Sequence, residues 1–175
     1  MITPKGTLLF VSINGREAQY QGQPTGRYEI TLELTEDEYN KVRENLVKVW
    51  EESQEYKDVK DIVDVMNPAL GIKKKKDKDG NIHYRLHAKT YAYKKDSKEP
   101  NVVPILDGVN SRLPDDTEIV NGSLGRLDIW PKPFNTGGQY GLSLRLNRIQ
   151  LTKMGEGNFE PFPVEEDFGT EEEPF

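Results

Sequence analysis

A chain of 175 residues, 34% hydrophobic and 31% charged, holds material for one domain with a modest core and a heavily charged surface, an average domain being about 25% charged. The absence of cysteine excludes disulfides, thiolate metal sites and cysteine nucleophiles, and no run approaches the roughly 18 apolar residues of a membrane-spanning helix. The formal charge of −6 is unevenly spread: residues 155–175 hold eight carboxylates and no Lys or Arg, leaving 24 basic against 22 acidic side chains in residues 1–154, so an acidic pI does not exclude a nucleic-acid partner.

In chain order, Thr7 to Ile13 is apolar and β-branched and reads as a strand. Arg27 to Leu34 follows beyond turn chemistry at Asn14-Gly15 and Gly22 to Gly26, alternating Tyr28, Ile30, Leu32 and Leu34 with Arg27, Glu29, Thr31 and Glu33. Thr35 with Glu38 forms a capping box, and Tyr39, Val42, Leu46, Val49 and Trp50 mark one face of an amphipathic helix packed on a sheet. A second short helix is expected over 57–66. Lys73-Lys74-Lys75-Lys76 reads as a basic stretch closing on an Asp79-Gly80 turn, before a long strand from Ile82 to Tyr93. Strands are expected at Val102 to Leu106, Glu118 to Trp130 and Gln139 to Thr152, with prolines confining the joints. In the last, the apolar positions change parity between Leu146 and Ile149, which predicts a β-bulge near Asn147-Arg148.

The strand from Ile82 to Tyr93 carries the chemistry. Ile82, Tyr84, Leu86, Ala88, Thr90 and Ala92 form a core face, and His83, Arg85, His87, Lys89, Tyr91 and Tyr93 point the other way. Residues 71–98 hold ten Lys or Arg against three Asp. A single nucleic-acid strand needs cations along its phosphates and flat rings for its unpaired bases, and this strand supplies both. Any sheet with one wet face alternates in this way, but burial does not require Tyr91 and Tyr93 there. Arg126, Trp130, Lys132 and Arg145 repeat the pattern on later strands, Trp130 being equally readable as core. His83 and His87 would lie about 13 Å apart on a strand, too far to share a zinc ion. Asp77 to Asn81 lacks the Gly and Glu that complete a calcium loop, and no nucleophile or phosphate-loop motif appears. Neither cofactor nor metal is expected, and the chain is not expected to be an enzyme.

Residues 155–175 cannot bury enough apolar area to fold alone and are read as a disordered acidic tail. Four of the six phenylalanines lie there, and rings spaced through carboxylates suit docking into a basic pocket better than they suit solubility alone.

The terminal Glu171-Glu172-Glu173-Pro174-Phe175 resembles the acidic tip of bacterial single-stranded DNA-binding proteins. The body resembles the phage replication single-stranded DNA-binding proteins, on Tyr28 to Leu34 leading into a helix, Asp77 to Gly80 leading into the strand with Tyr84 to Tyr93, and Gly122-Ser123 through Tyr140 to Leu146. The resemblance implies a mainly β chain, an OB-type barrel of five or slightly more strands with one helix over 1–154, and a recruiting tail over 155–175. It implies sequence-independent binding of single-stranded DNA in replication, recombination and repair. The expected contacts are Arg85, Lys89, Tyr91 and Tyr93, extended to Lys73, Lys74, Lys75, Lys76, Arg126, Trp130, Lys132 and Arg145. In the tail, Phe168, Glu171, Glu172, Glu173, Pro174 and Phe175 would meet DNA polymerase, helicase or primase, and compete with DNA for the groove. A homodimer is compatible with it, as is the cytoplasm, the host's for a phage chain. Two other readings stand beside it: a β-rich interaction protein whose basic face docks an acidic partner, and a metal-dependent nuclease.

Overall fold

A computed structural model describes residues 1–61 and 68–156. The elements are β1 (Gly6–Ser12), β2 (Gln19–Tyr20), β3 (Gln23–Pro24), β4 (Arg27–Leu34), α1 (Glu36–Glu52), α2 (Gln54–Val59), β5 (Ile72–Lys76), β6 (Ile82–Tyr91), β7 (Ile105–Leu106), β8 (Ser123–Thr136) and β9 (Gln139–Lys153). Five strands run in the order β6-β4-β1-β8-β9, and a parallel pairing of β9 with β6 at Arg145 and Lys89 closes them into a barrel. That is the strand order of an OB fold, with α1 and α2 inserted between β4 and β6. β5 extends the sheet beyond β6 and β7 beyond β9. The tail from 157 onward, with Phe168, Glu171, Glu172, Glu173, Pro174 and Phe175, lies outside the described residues, as do residues 62–67.

The closing seam is narrow. Beside the single Lys89–Arg145 pairing, residues just before β5 fill the gap: the Leu142 amide donates to the Ala69 carbonyl at 2.6 Å and the His87 amide to the Gly71 carbonyl at 2.8 Å. Gly141 has φ +145°, and a Cβ there would overlap the Ala69 backbone, so only glycine lets the two chains approach.

The local signals explain α1. Thr35 Oγ1 accepts from the Glu38 amide at 3.3 Å and a Glu38 carboxylate oxygen accepts from the Thr35 amide at 3.2 Å, satisfying two free donors of the first turn. Its buried stripe of Tyr39, Val42, Leu46 and Trp50 joins Leu86, Leu142 and Leu144 in one core. Trp50 is 2% exposed, stacks on Tyr140 with centroids 6.1 Å apart and meets Tyr56 edge-on. Emptying such a site costs about 3–5 kcal/mol. β9 is bulged where expected: Asp128 pairs with Arg148 and Ile129 with Leu146, leaving Asn147 as the extra residue, so that both parities of leucine and isoleucine face inward.

Several expectations need correction. The second helix begins at Gln54, with Ser53 as its cap, and is described only to Val59. The lysine run is strand β5, paired with β6 over Ile72 to Lys76 against Leu86 to Ile82. Ile82 is exposed, because it lies at the end of β6 beyond the core. The strand expected over Val102 to Leu106 is only Ile105–Leu106, and that expected from Glu118 begins at Ser123 and runs through Pro131 and Pro133 to Thr136. Pro131 and Pro133 are tolerated because that part of β8 pairs with β9 alone, leaving an edge that needs no amide.

Candidate nucleic-acid interface

Register places the outward side chains in rows across the barrel. One row holds Thr7, Glu33, Arg85 and Lys73; the next Leu9, Thr31 and His87; a third Ser12, Glu29, Lys89, Arg145 and Trp130; and Arg27 lies beside Tyr91 at the end. Arg85, Lys89, Tyr91, Trp130 and Arg145 thus share one surface although they lie on three strands.

Arg145 is the hub of the aromatic end. Its guanidinium carbon is 5.5 Å from the Tyr91 ring centroid and 5.9 Å from that of Trp130. Tyr91 is 56% exposed and Trp130 51%, which resolves Trp130 as a surface residue and leaves Trp50 as the core tryptophan. The three groups make a shelf of flat surfaces held by cation–π contact. Tyr93 is also exposed, and its hydroxyl donates to Glu17 at 2.6 Å, which raises its pKa above the usual tyrosine value. Beside the shelf, Tyr91, Tyr93, Lys95, Asn101, Val102 and Arg145 help to line a cleft of about 790 Å³.

The basic character is less uniform than the alternation along β6 suggests. Glutamates of β4 face it: Arg85 Nε donates to Glu33 at 2.9 Å, and His87 lies 3.4 Å from Glu29. His83 sits between Glu33 at 3.1 Å and Asp77 at 3.0 Å. The Asp77 contact, then that with Glu33, raises the His83 pKa, while His83 and Asn81 hold Asp77 down at about 2. Burial pushes the Glu33 carboxyl up, but hydrogen bonds from Arg85 and His83 more than reverse it. Among the described residues, Lys73, Lys75, Lys89, Lys132 and Arg145 form no ion pair with a carboxylate. Arg27 beside Tyr91 and Lys95 in the neighbouring cleft likewise form no ion pair among the described residues.

Not every expected contact joins this surface. Lys73 and Lys75 lie opposite Arg85 and His83 and share their face. Lys74 and Lys76 lie opposite Tyr84 and Ile82 on the other face, with Lys74 Nζ 5.3 Å from the Tyr84 ring and 5.7 Å from that of Tyr39. Lys132 is exposed two residues beyond Trp130, opposite Ser143. Arg126 contacts Gln150 at 3.4 Å, separated from Trp130 by the Asp128–Arg148 ion pair and about 13 Å along β8. Lys73, Lys74, Lys75, Arg85, His87 and Lys89 line a cleft of about 990 Å³ with Trp50, Leu142 and Leu144, so Lys74 reaches this cleft although its register places it with Tyr84.

The sequence reading missed the glutamates as partners, since which strand lies beside β6 is not a local property. It also missed Phe10, exposed on β1 with the Arg85 guanidinium 5.7 Å from its ring.

No protein-family model matches the chain, and no curated protein matches its sequence. Solved structures match its fold. The gp2.5 single-stranded DNA-binding protein of bacteriophage T7 superposes with TM-score 0.60 at 15% identity, over 93% of this chain and 96% of the other. The single-stranded DNA-binding protein of bacteriophage Enc34, in complex with single-stranded DNA, superposes with TM-score 0.60 at 14% identity, over 90% and 88%. A second structure of the Enc34 protein gives TM-score 0.58 at 16% identity, over 95% and 87%. At these identities the likeness establishes a shared fold.

Proposed function

We propose that this chain binds single-stranded DNA without sequence preference and without catalysis, as a coating protein of phage DNA replication and recombination in the host cytoplasm. The observation that carries the reading is the row joining Lys89, Arg145 and Trp130 across the barrel, with Tyr91 on the other side of the Arg145 guanidinium. Exposed rings accept bases of any identity because every base has a π face, while cations free of carboxylates follow the backbone. The Enc34 relative of the same fold, solved with single-stranded DNA, supports it.

The segment 155–175 is the second part of the proposal. Its carboxylates imitate phosphates and its phenylalanines imitate stacked bases, so it competes with DNA for the basic surface and, when displaced, recruits polymerase, helicase or primase through Phe168 and the Glu171 to Phe175 tip.

Equilibrium binding to oligo-dT at several salt concentrations tests the reading. The logarithm of the association constant should fall linearly with the logarithm of salt, with slope about −0.7 per phosphate contacted. Absence of oligo-dT binding at moderate salt would leave this face to an acidic polypeptide partner instead.

A further inference from the structure

Phe10 is a bulky apolar side chain in a place that folding alone does not reward. Leu9 pairs with Thr31 and Ser12 with Glu29, so a three-residue step on β1 matches a two-residue step on β4 and the chain bulges between them. At the bulge Phe10 has φ +51°, a left-handed conformation that a residue bearing a Cβ adopts at a cost. The geometry is held from outside: the Phe10 amide donates to the Asn121 side-chain oxygen at 2.7 Å, from a loop 111 residues away. The result is a ring left 59% exposed rather than packed in the core. Beside it the Arg85 guanidinium, 5.7 Å from the ring centroid, is held by Glu33 at 2.9 Å.

This pairing of an exposed ring with a positioned guanidinium repeats the Tyr91–Arg145–Trp130 shelf at the other end of the same surface. Arg85 and Tyr91 are six residues apart on β6, about 20 Å, with His87 and Lys89 between them on that face. A distance of that order suits a strand crossing the barrel between two fixed points, within the footprint of about 4–16 nucleotides that one OB fold covers.

We propose that Phe10 is a second base-stacking platform, which takes an unpaired base at the end of the DNA path opposite the shelf, with Arg85 as the residue that positions the ring. The inference rests on the single-stranded DNA reading and assigns one terminus of its path. The strain at residue 10 then has a use: the bulge turns outward a ring that a regular strand would have carried elsewhere.

The test uses the full chain and oligo-dT of about 16 nucleotides, the upper end of that footprint. Phe10→Leu keeps the apolar bulk and removes the ring. It should weaken binding about 5-fold to 150-fold, the loss of one stacked base, with the salt slope unchanged because no charge is removed. Phe10→Trp should retain wild-type affinity, and in a Trp130→Phe background its emission should be quenched on binding, against the buried Trp50. Should Phe10→Leu fail to fold, the tryptophan readout decides alone. Wild-type affinity in Phe10→Leu, or tryptophan emission at position 10 that oligo-dT leaves unmoved, would overturn the assignment while leaving single-strand binding intact. A wild-type chain that does not bind oligo-dT would remove both.

Discussion

Lys89 of β6 and Arg145 of β9 are register partners in the parallel pairing that closes the barrel, two cations opposed at its seam. Like charges directly opposite destabilise a sheet, and no carboxylate among the described residues pairs with either. An anion lying across the seam would relieve that repulsion, and under the proposed function a DNA phosphate is that anion.

Replacing Arg145 separates its two roles. Arg145→Ala should weaken oligo-dT binding and reduce the salt slope by about 0.7, one phosphate contact. Arg145→Lys keeps the charge but not the flat group between Tyr91 and Trp130, so it should also bind more weakly, with the slope preserved. Titrations across salt check both, and a lysine variant with wild-type affinity would reduce Arg145 to a point charge. The Trp130 emission of free Arg145→Lys should shift as well, since its neighbour is lost.

The His83 network predicts a pH dependence of stability. A histidine whose folded pKa lies above its unfolded value of about 6.5 stabilises fully below that pH, and the contribution disappears as pH rises through the folded value. Asp77, depressed to about 2, behaves oppositely: its contribution is present above its unfolded value near 4 and is lost as pH falls through the folded one. Thermal melts of wild type and His83→Gln should therefore differ most near pH 6 and converge in mild alkali. Parallel curves would show that His83 gains nothing from Asp77 and Glu33.

Gly141→Ala should destabilise the fold by at least about 2 kcal/mol, because the added methyl meets the Ala69 backbone and no flexible side chain can yield. Denaturant melts measure this. A neutral result would mean that the backbone at Ala69 moves freely off β9.

Deleting residues 160–175 should tighten DNA binding at low salt, the effect shrinking as salt rises, and should abolish recruitment of the replication enzymes. Side-by-side titrations of full and shortened chains test the competition, and equal affinities at all salt concentrations would end it.

Much of this was legible in the sequence where the signal is local. The Thr35–Glu38 capping box, the bounds of β4 from Arg27 to Leu34 and the bulge at Asn147 all follow from neighbours in the chain. The exposure of Tyr91 and Tyr93 follows from alternation along one strand. Pairing between distant segments was not legible. Lys73 to Lys76 read only as a basic stretch leading to a turn because nothing in a lysine run announces a partner at Arg85, and proline at 131 and 133 argues against a strand until one edge is known to be free. Glu33 lies 52 residues from Arg85, so its neutralising role depends on strand order and register. Phe10 sits in an apolar run, Leu8 to Val11, where a bulge leaves no mark in the composition.

The central claim is tested most directly by the affinity of the full chain for oligo-dT against a duplex of equal length in the same moderate-salt buffer. Exposed rings can stack only on unpaired bases, so single-stranded DNA should bind at least about tenfold more tightly, a difference of ~1.4 kcal/mol, and mixed-sequence single strands should match oligo-dT closely. Equal or tighter binding to the duplex would contradict the account.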